Sequence, residues 1–235
     1  MKASDPQISK ARQGAQNDRG KTAAFFDLDG TLIMGTTPVL LVKFLRRVGV
    51  VSRGFLLGTA LWFVGYRMGL LKATEKSRGL GGRVFTGKSE AEIADLMERF
   101  VEEVLVGRLH PGAWKALEQH QAKGDRVAMI SAALEPVVKA VCRRLDIDEY
   151  AGSTCEIENG RYTGRLLEGN PHGERKAVVA KEYLARWGMD PANCWAYADH
   201  PSDEALLRSV GNPVAVNPKP GLLAIASEAG WPILP

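Results

Sequence analysis

The stretch Phe25-Phe26-Asp27-Leu28-Asp29-Gly30-Thr31-Leu32-Ile33 constrains this chain more than any other. An apolar run, residues 23–26, stops at two carboxylates one residue apart. A short apolar run cut off by acids and then by Gly30 reads as a buried strand whose carboxyl end meets solvent. Two aspartates held there repel each other unless a cation or a shared proton intervenes. Oxygen-only ligands favour a hard ion such as Mg²⁺.

Three more segments repeat the apolar pattern: 126–131 (RVAMIS), 194–199 (CWAYAD) and 213–217 (PVAVN). Between them lie helical stretches at 112–123 and 135–145, and after residue 175 apolar residues recur every three to four positions in KAVVAKEYLARW. Strands alternating with helices predict an α/β fold with a parallel sheet covered on both faces. The interval 36–109 is rich in Leu, Val, Arg and Glu and lacks strand-like alternation, so it predicts a helical insert after the first strand. Within it, residues 89–106 show helical periodicity and open on a capping box, Ser89 with Glu92 three residues on. Residues 154–167 predict a β-hairpin turning at Asn159-Gly160. The organisation expected is a flexible polar tail at 1–20, a core built from 21–35 and 110–235, and the insert at 36–109.

The formal net charge is +4, with Lys and Arg spread along the chain. No basic stripe with interleaved aromatics is present, which argues against nucleic-acid partners. Cys142, Cys155 and Cys194 are far apart and lack zinc spacing, so they predict reduced thiols in a cytoplasmic protein. The first twenty residues hold no apolar signal-peptide core. Residues 54–71 (GFLLGTALWFVGYRMGLL) are apolar for much of their length. They fall short of the roughly 20 apolar residues a spanning helix needs. A buried or amphipathic helix is expected, which leaves open a peripheral membrane contact through the insert.

The string DLDGTL, residues 27–32, resembles the first motif of the haloacid dehalogenase superfamily of phosphotransferases. That resemblance implies a Rossmann-like core, Asp27 as nucleophile, Asp29 as general acid/base, and a Mg²⁺ ion held by Asp27 and the Asp29 backbone carbonyl. The family's further motifs follow in order. Ser131, at a strand end, matches the phosphate-binding hydroxyl, with Ala132 beside it and Leu28 in the first loop. GERK, residues 173–176, resembles the family's Gly-x-x-Lys, which implies that Lys176 pairs with the nucleophile; Lys181 is the rival. YADHPSDEALL, residues 197–207, resembles the acidic fourth motif, with Asp199 as a direct metal ligand and Asp203 in the outer shell. His200 stands where many relatives carry a small residue. Asn217 and Pro218 match a loop near the phosphate.

A helical insert directly after the first motif resembles the type-one cap of subfamily IB, the phosphoserine-phosphatase-like branch. The resemblance implies a Mg²⁺-dependent phosphomonoester phosphatase working through an aspartyl-phosphate. Phosphoserine phosphatases carry a glutamate shortly after the first motif, whereas residues 34–40 here read MGTTPVL. A buried amine without a carboxylate partner is unfavourable, so a different small phosphomonoester, or a lipid-like one, is expected. A phosphoserine phosphatase proper and a phosphotransferase to an alcohol remain alternatives. The sequence sets no oligomeric state.

Overall fold

The computed structural model describes residues 22–51 and 82–235. The polar tail expected at 1–20 and the apolar segment 54–71 lie outside the described residues. Strand β1 is Ala23–Phe26, and β2 is Arg126–Leu134. They are followed by β3 (Glu149–Ser153), the hairpin strands β4 (Cys155–Glu158) and β5 (Arg161–Leu166), β6 (Trp195–Ala198), β7 (Asn212–Val216) and β8 (Ile233–Leu234). Among the described residues the α-helices are α1 (Thr37–Arg47), α2 (Glu90–Phe100), α3 (Pro111–Ala122), α4 (Glu135–Arg144), α5 (Glu174–Trp187), α6 (Glu204–Arg208) and α7 (Pro220–Ala229).

Six strands form one sheet in the order β3-β2-β1-β6-β7-β8. Every pairing in it is parallel. The expected parallel α/β core is therefore present. Successive side chains of β1 feed opposite faces: Ala24 and Phe26 join the core under α3 and α4, while Ala23 and Phe25 join the core under α5, α6 and α7. Being buried on both faces is why this strand reads as continuously apolar. The chain winds from β1 outward through β2 and β3, then returns to the other side of β1 with β6. The sheet order thus reverses between β1 and β6, and ligands of open parallel sheets bind beyond the strand ends at such a point.

Two strands have no counterpart in the sequence pattern. β3 (EYAGS) is only half buried, so it shows no apolar run. It fits where it does because Gly152 has no side chain: a Cβ there would lie 2.8 Å from the Glu135 backbone. β8 has two residues at the sheet edge, too few for a pattern.

Helix α2 opens on the capping box, with the Glu92 N–H donating to Ser89 Oγ (3.3 Å) and the Ser89 N–H donating to Glu92 Oε2 (2.8 Å). Its helical path continues through a π-turn at Val101–Leu105 and a 3₁₀ turn at Val106–Arg108. The two segments that flank residues 36–109 run side by side. Met34 N–H donates to Arg108 O (2.8 Å) and His110 N–H to Leu32 O (2.9 Å). The hairpin turns at Asn159 and Gly160, both with positive φ (51° and 71°), as an Asn-Gly turn requires. It also clasps the insert, with Gly87 N–H donating to Tyr162 O and Tyr162 N–H donating to Lys88 O.

Candidate active site

Asp27 follows the last residue of β1, and Asp199 follows the last residue of β6. Adjacent parallel strands that end together deliver the two carboxylates to one place. Asp203 arrives from the 3₁₀ turn Pro201–Asp203 just beyond β6. One carboxylate oxygen from each of Asp27, Asp199 and Asp203 lies within 4.8 Å of the others, and all three residues are buried. Lys176, in the first turn of α5, projects into the cluster. Its Nζ donates to Asp27 Oδ1 (2.7 Å) and pairs with Asp203 Oδ1 (2.8 Å). Lys181, the rival, is exposed.

A buried lysine is a stable cation only where carboxylates surround it. Burial by itself would depress Lys176, but Asp27 and Asp203 outweigh it and hold its pKa above the ordinary value. Burial pushes Asp27 up while Lys176 pulls against it. Asp199 is also pushed up by burial, opposed by Lys219. Lys219, in the loop after β7, places Nζ 3.1 Å from Asp199 Oδ2, and its backbone N–H donates to Asp199 O (2.9 Å). No sequence motif singles out this lysine.

Asp29 is turned toward the insert. Its Oδ1 accepts the Thr37 backbone N–H (2.6 Å) and its Oδ2 accepts the Thr37 hydroxyl (3.0 Å). Thr37 is the first residue of α1, and Thr36 makes no side-chain cap there, so Asp29 caps the helix from outside. Burial raises the Asp29 pKa to about 6, against those hydrogen bonds. Its carboxylate is not one of the three in the cluster.

Gly30 makes the crowding feasible. It has φ 81°, and a Cβ on it would meet Asp199 Oδ2 at 2.2 Å. Leu28 buries its side chain in the core, and its carbonyl accepts Ile33 N–H (2.9 Å). Ser131 is buried at the site end of β2, where the register to β3 shifts between Ile130 and Leu134. Its Oγ accepts Ala133 N–H (3.1 Å), and Ser153 Oγ donates to Ala132 O (2.8 Å). The bulge lifts Ser131 and Ala132 out of the plain ladder. Asn217 sits at the same sheet edge with φ 39°; its backbone N–H donates to Leu234 O, and its exposed side chain makes no hydrogen bond among the described residues. His200 serves as a cap, its Nδ1 accepting Ser202 N–H (3.1 Å).

Among the described residues, four carboxylates (Asp27, Asp29, Asp199, Asp203) stand against two ammonium groups (Lys176, Lys219) in this region. Fully ionised, that leaves about two negative charges for a divalent cation to neutralise. Asp199 Oδ1 is buried with no hydrogen-bond partner among the described residues. An orphaned carboxylate oxygen inside an all-oxygen cluster is the donor a Mg²⁺ ion would use.

Comparison with known proteins gives a family and a fold. The family described as haloacid dehalogenase-like hydrolase matches residues 24–208. The phosphoserine phosphatase SerB1 of Mycobacterium tuberculosis is 30% identical over 90% of this chain and 70% of its own length. A histidinol-phosphatase of Neisseria meningitidis is 29% identical over 91% of this chain and 98% of its own length. Among solved structures, a Bordetella pertussis protein of unknown function superposes with TM-score 0.80 at 28% identity, covering 91% of this chain and 98% of that one. A substrate-bound phosphoserine phosphatase has TM-score 0.62 at 16% identity, over 92% of this chain and 94% of that one, which speaks to the fold alone.

Proposed function

The chain belongs to the haloacid dehalogenase-like hydrolase family, and on that premise we propose that it hydrolyses a small-molecule phosphomonoester through a phosphoryl group carried on Asp27. The observation that carries this reading is the buried trio Asp27, Asp199 and Asp203 gathered around the Lys176 ammonium. Relatives named phosphoserine phosphatase and histidinol-phosphatase support a small phosphomonoester as substrate. Among the described residues no helix is long and apolar enough to cross a membrane.

Lys176 engages Asp27 Oδ1, so the other carboxylate oxygen is assigned the attack on phosphorus. The Asp27–phosphorus bond forms as the bond to the leaving oxygen breaks, and the Asp29 carboxyl gives that oxygen its proton. A water then attacks phosphorus. Asp29, now ionised, takes the water's proton, and the Asp27–phosphorus bond breaks to release inorganic phosphate. Ser131 Oγ and the N–H groups of Leu28 and Ala132 are assigned to the phosphoryl oxygens, with Asn217 outermost. Lys176 neutralises charge that grows on those oxygens, and Asp203 holds Lys176 in place. Asp27, Asp199 and the Asp29 backbone carbonyl would hold Mg²⁺, with Asp203 further out; the ion, when bound, withdraws charge from the phosphoryl group. The paired connections at Met34–Arg108 and Leu32–His110 support residues 36–109 as a cap hinged on the core.

The test is hydrolysis of p-nitrophenyl phosphate with Mg²⁺, with EDTA, and by Asp27→Asn, followed by phosphoserine and histidinol phosphate. Turnover that needs Mg²⁺ and disappears in Asp27→Asn is expected. Full turnover by Asp27→Asn would end the covalent reading, and full turnover in EDTA would end the metal reading.

A further inference from the structure

The two lysines at the site differ in what they are able to do. The Lys176 side chain is 4% exposed and bound between two buried carboxylates. It has nowhere to go. The Lys219 side chain is 50% exposed, yet its ammonium rests on Asp199, whose side chain is 3% exposed. It has solvent immediately available.

The backbone fixes where Lys219 starts. Its N–H is bonded to the Asp199 carbonyl, and Pro218 and Pro220 flank it, restricting the loop. The side chain therefore reaches Asp199 Oδ2 from a fixed starting point. A half-exposed ammonium on a buried carboxylate is a weak attachment, because water competes for the cation. A buried carboxylate left with no cation is costly. The free energy of the pair therefore comes chiefly from what Asp199 would lose without it.

We infer that Lys219 is a displaceable stand-in for the divalent cation, neutralising Asp199 while the metal site is empty and competing with the metal for it. The inference rests on the assignment of Asp199 as a Mg²⁺ ligand in the proposed function. Lys219 thereby sets the concentration of Mg²⁺ at which the site fills. Lys219 rests on Oδ2 while Oδ1, unpartnered among the described residues, faces the ion, but two cations sharing one carboxylate charge repel, so Lys219 leaves for solvent as the ion arrives. Lys176 cannot act in this way, because leaving would strand Asp27 and Asp203 together.

The inference is tested by Mg²⁺ binding, measured by titration calorimetry on the wild type, Lys219→Met and Lys219→Arg without substrate. A partly exposed pair contributes about 0.5–1 kcal/mol, so Lys219→Met is expected to bind Mg²⁺ about two- to fivefold more tightly. Without metal its melting temperature should fall below the wild type, and saturating Mg²⁺ should close the gap. Lys219→Arg keeps the charge and should stay near the wild-type Kd. Wild type that binds Mg²⁺ saturably while Lys219→Met binds with the same or weaker affinity overturns this inference alone. Wild type with no saturable Mg²⁺ binding overturns the metal assignment, and the inference falls with it.

Discussion

Both carboxylate oxygens of Asp29 are held by one residue, Thr37, through its backbone N–H (2.6 Å) and its hydroxyl (3.0 Å). Asp29 belongs to the loop after the central strand, and Thr37 begins the first helix of the insert. The proposed acid/base is thus tied to the start of the proposed cap. Hydrogen bonds to a carboxylate favour its ionised form. Thr37→Val removes the hydroxyl and keeps the backbone donor and the side-chain shape. The pKa of Asp29 should rise, and the basic limb of the kcat–pH profile should move upward. A charge-assisted hydrogen bond is worth about 1.5 kcal/mol, or roughly one pH unit. An unmoved basic limb would show that Asp29 is not the group being titrated.

Asp29 also makes a prediction about stability without metal. Burial raises its pKa to about 6 from the ordinary value of 3.8. The folded protein then binds more protons than the unfolded chain between those values. Stability contributed by this group must fall as pH rises through that window, and the penalty persists above it. Asp29→Asn removes the penalty. In EDTA at pH ~7 it should be more stable than the wild type by roughly 1–3 kcal/mol, with little difference near pH ~4. Urea denaturation at the two pH values measures this. A variant less stable than the wild type at neutral pH would mean that the Thr37 contacts outweigh the burial of the charge.

Gly30 is required for two separate reasons: its φ of 81°, and the 2.2 Å that would separate any Cβ at this position from Asp199 Oδ2. Gly30→Ala should cost about 1–2 kcal/mol through backbone conformation alone. It should also push the Asp199 carboxylate aside and weaken Mg²⁺ binding by about tenfold or more, the equivalent of roughly 1.4 kcal/mol. Calorimetric titration with Mg²⁺ alongside a melting curve separates the two effects. Unchanged Mg²⁺ affinity would remove Asp199 from the proposed ligand set.

What could be read in the sequence follows from how each feature is encoded. Asp27, Asp199 and Ser131 stand at the ends of apolar runs, so local pattern alone places them at one sheet edge, whatever the strand order. Lys176 depends on the resemblance, since no periodicity separates it from Lys181; burial between two carboxylates separates them in the structure. Lys219 and Thr37 carry no local signal. Each matters through a contact with a residue distant in the fold or across the turn of the insert. Strand β3 is invisible to pattern because its half-buried residues and Gly152 have no strand-like alternation. Its place is fixed by the close approach of the helix after β2.

Beneath the site, His120 is buried with Nδ1 2.7 Å from Asp125 Oδ2 and Nε2 2.9 Å from the Tyr197 hydroxyl. Burial keeps the ring neutral near pH ~7, and a neutral imidazole that donates through Nδ1 to the carboxylate accepts at Nε2, with the tyrosine hydroxyl as donor. Burial lowers the His120 pKa, with Asp125 opposing. The Tyr197 ring stacks on Phe26 at 4.3 Å, and its carbonyl accepts the Asp27 N–H (3.0 Å). Tyr197→Phe keeps the stack and the backbone bond and removes only the hydroxyl. Leaving Nε2 buried without a donor should cost roughly 1–3 kcal/mol at pH ~7.5. A histidine with a depressed folded pKa contributes stability above the unfolded value, about 6.5, that is lost as pH falls. Without its donor the imidazole protonates more readily, so the cost of Tyr197→Phe should shrink by pH ~5.5. Urea denaturation of both proteins at each pH tests this, and an equal cost at both would show that the hydroxyl does not hold His120 neutral.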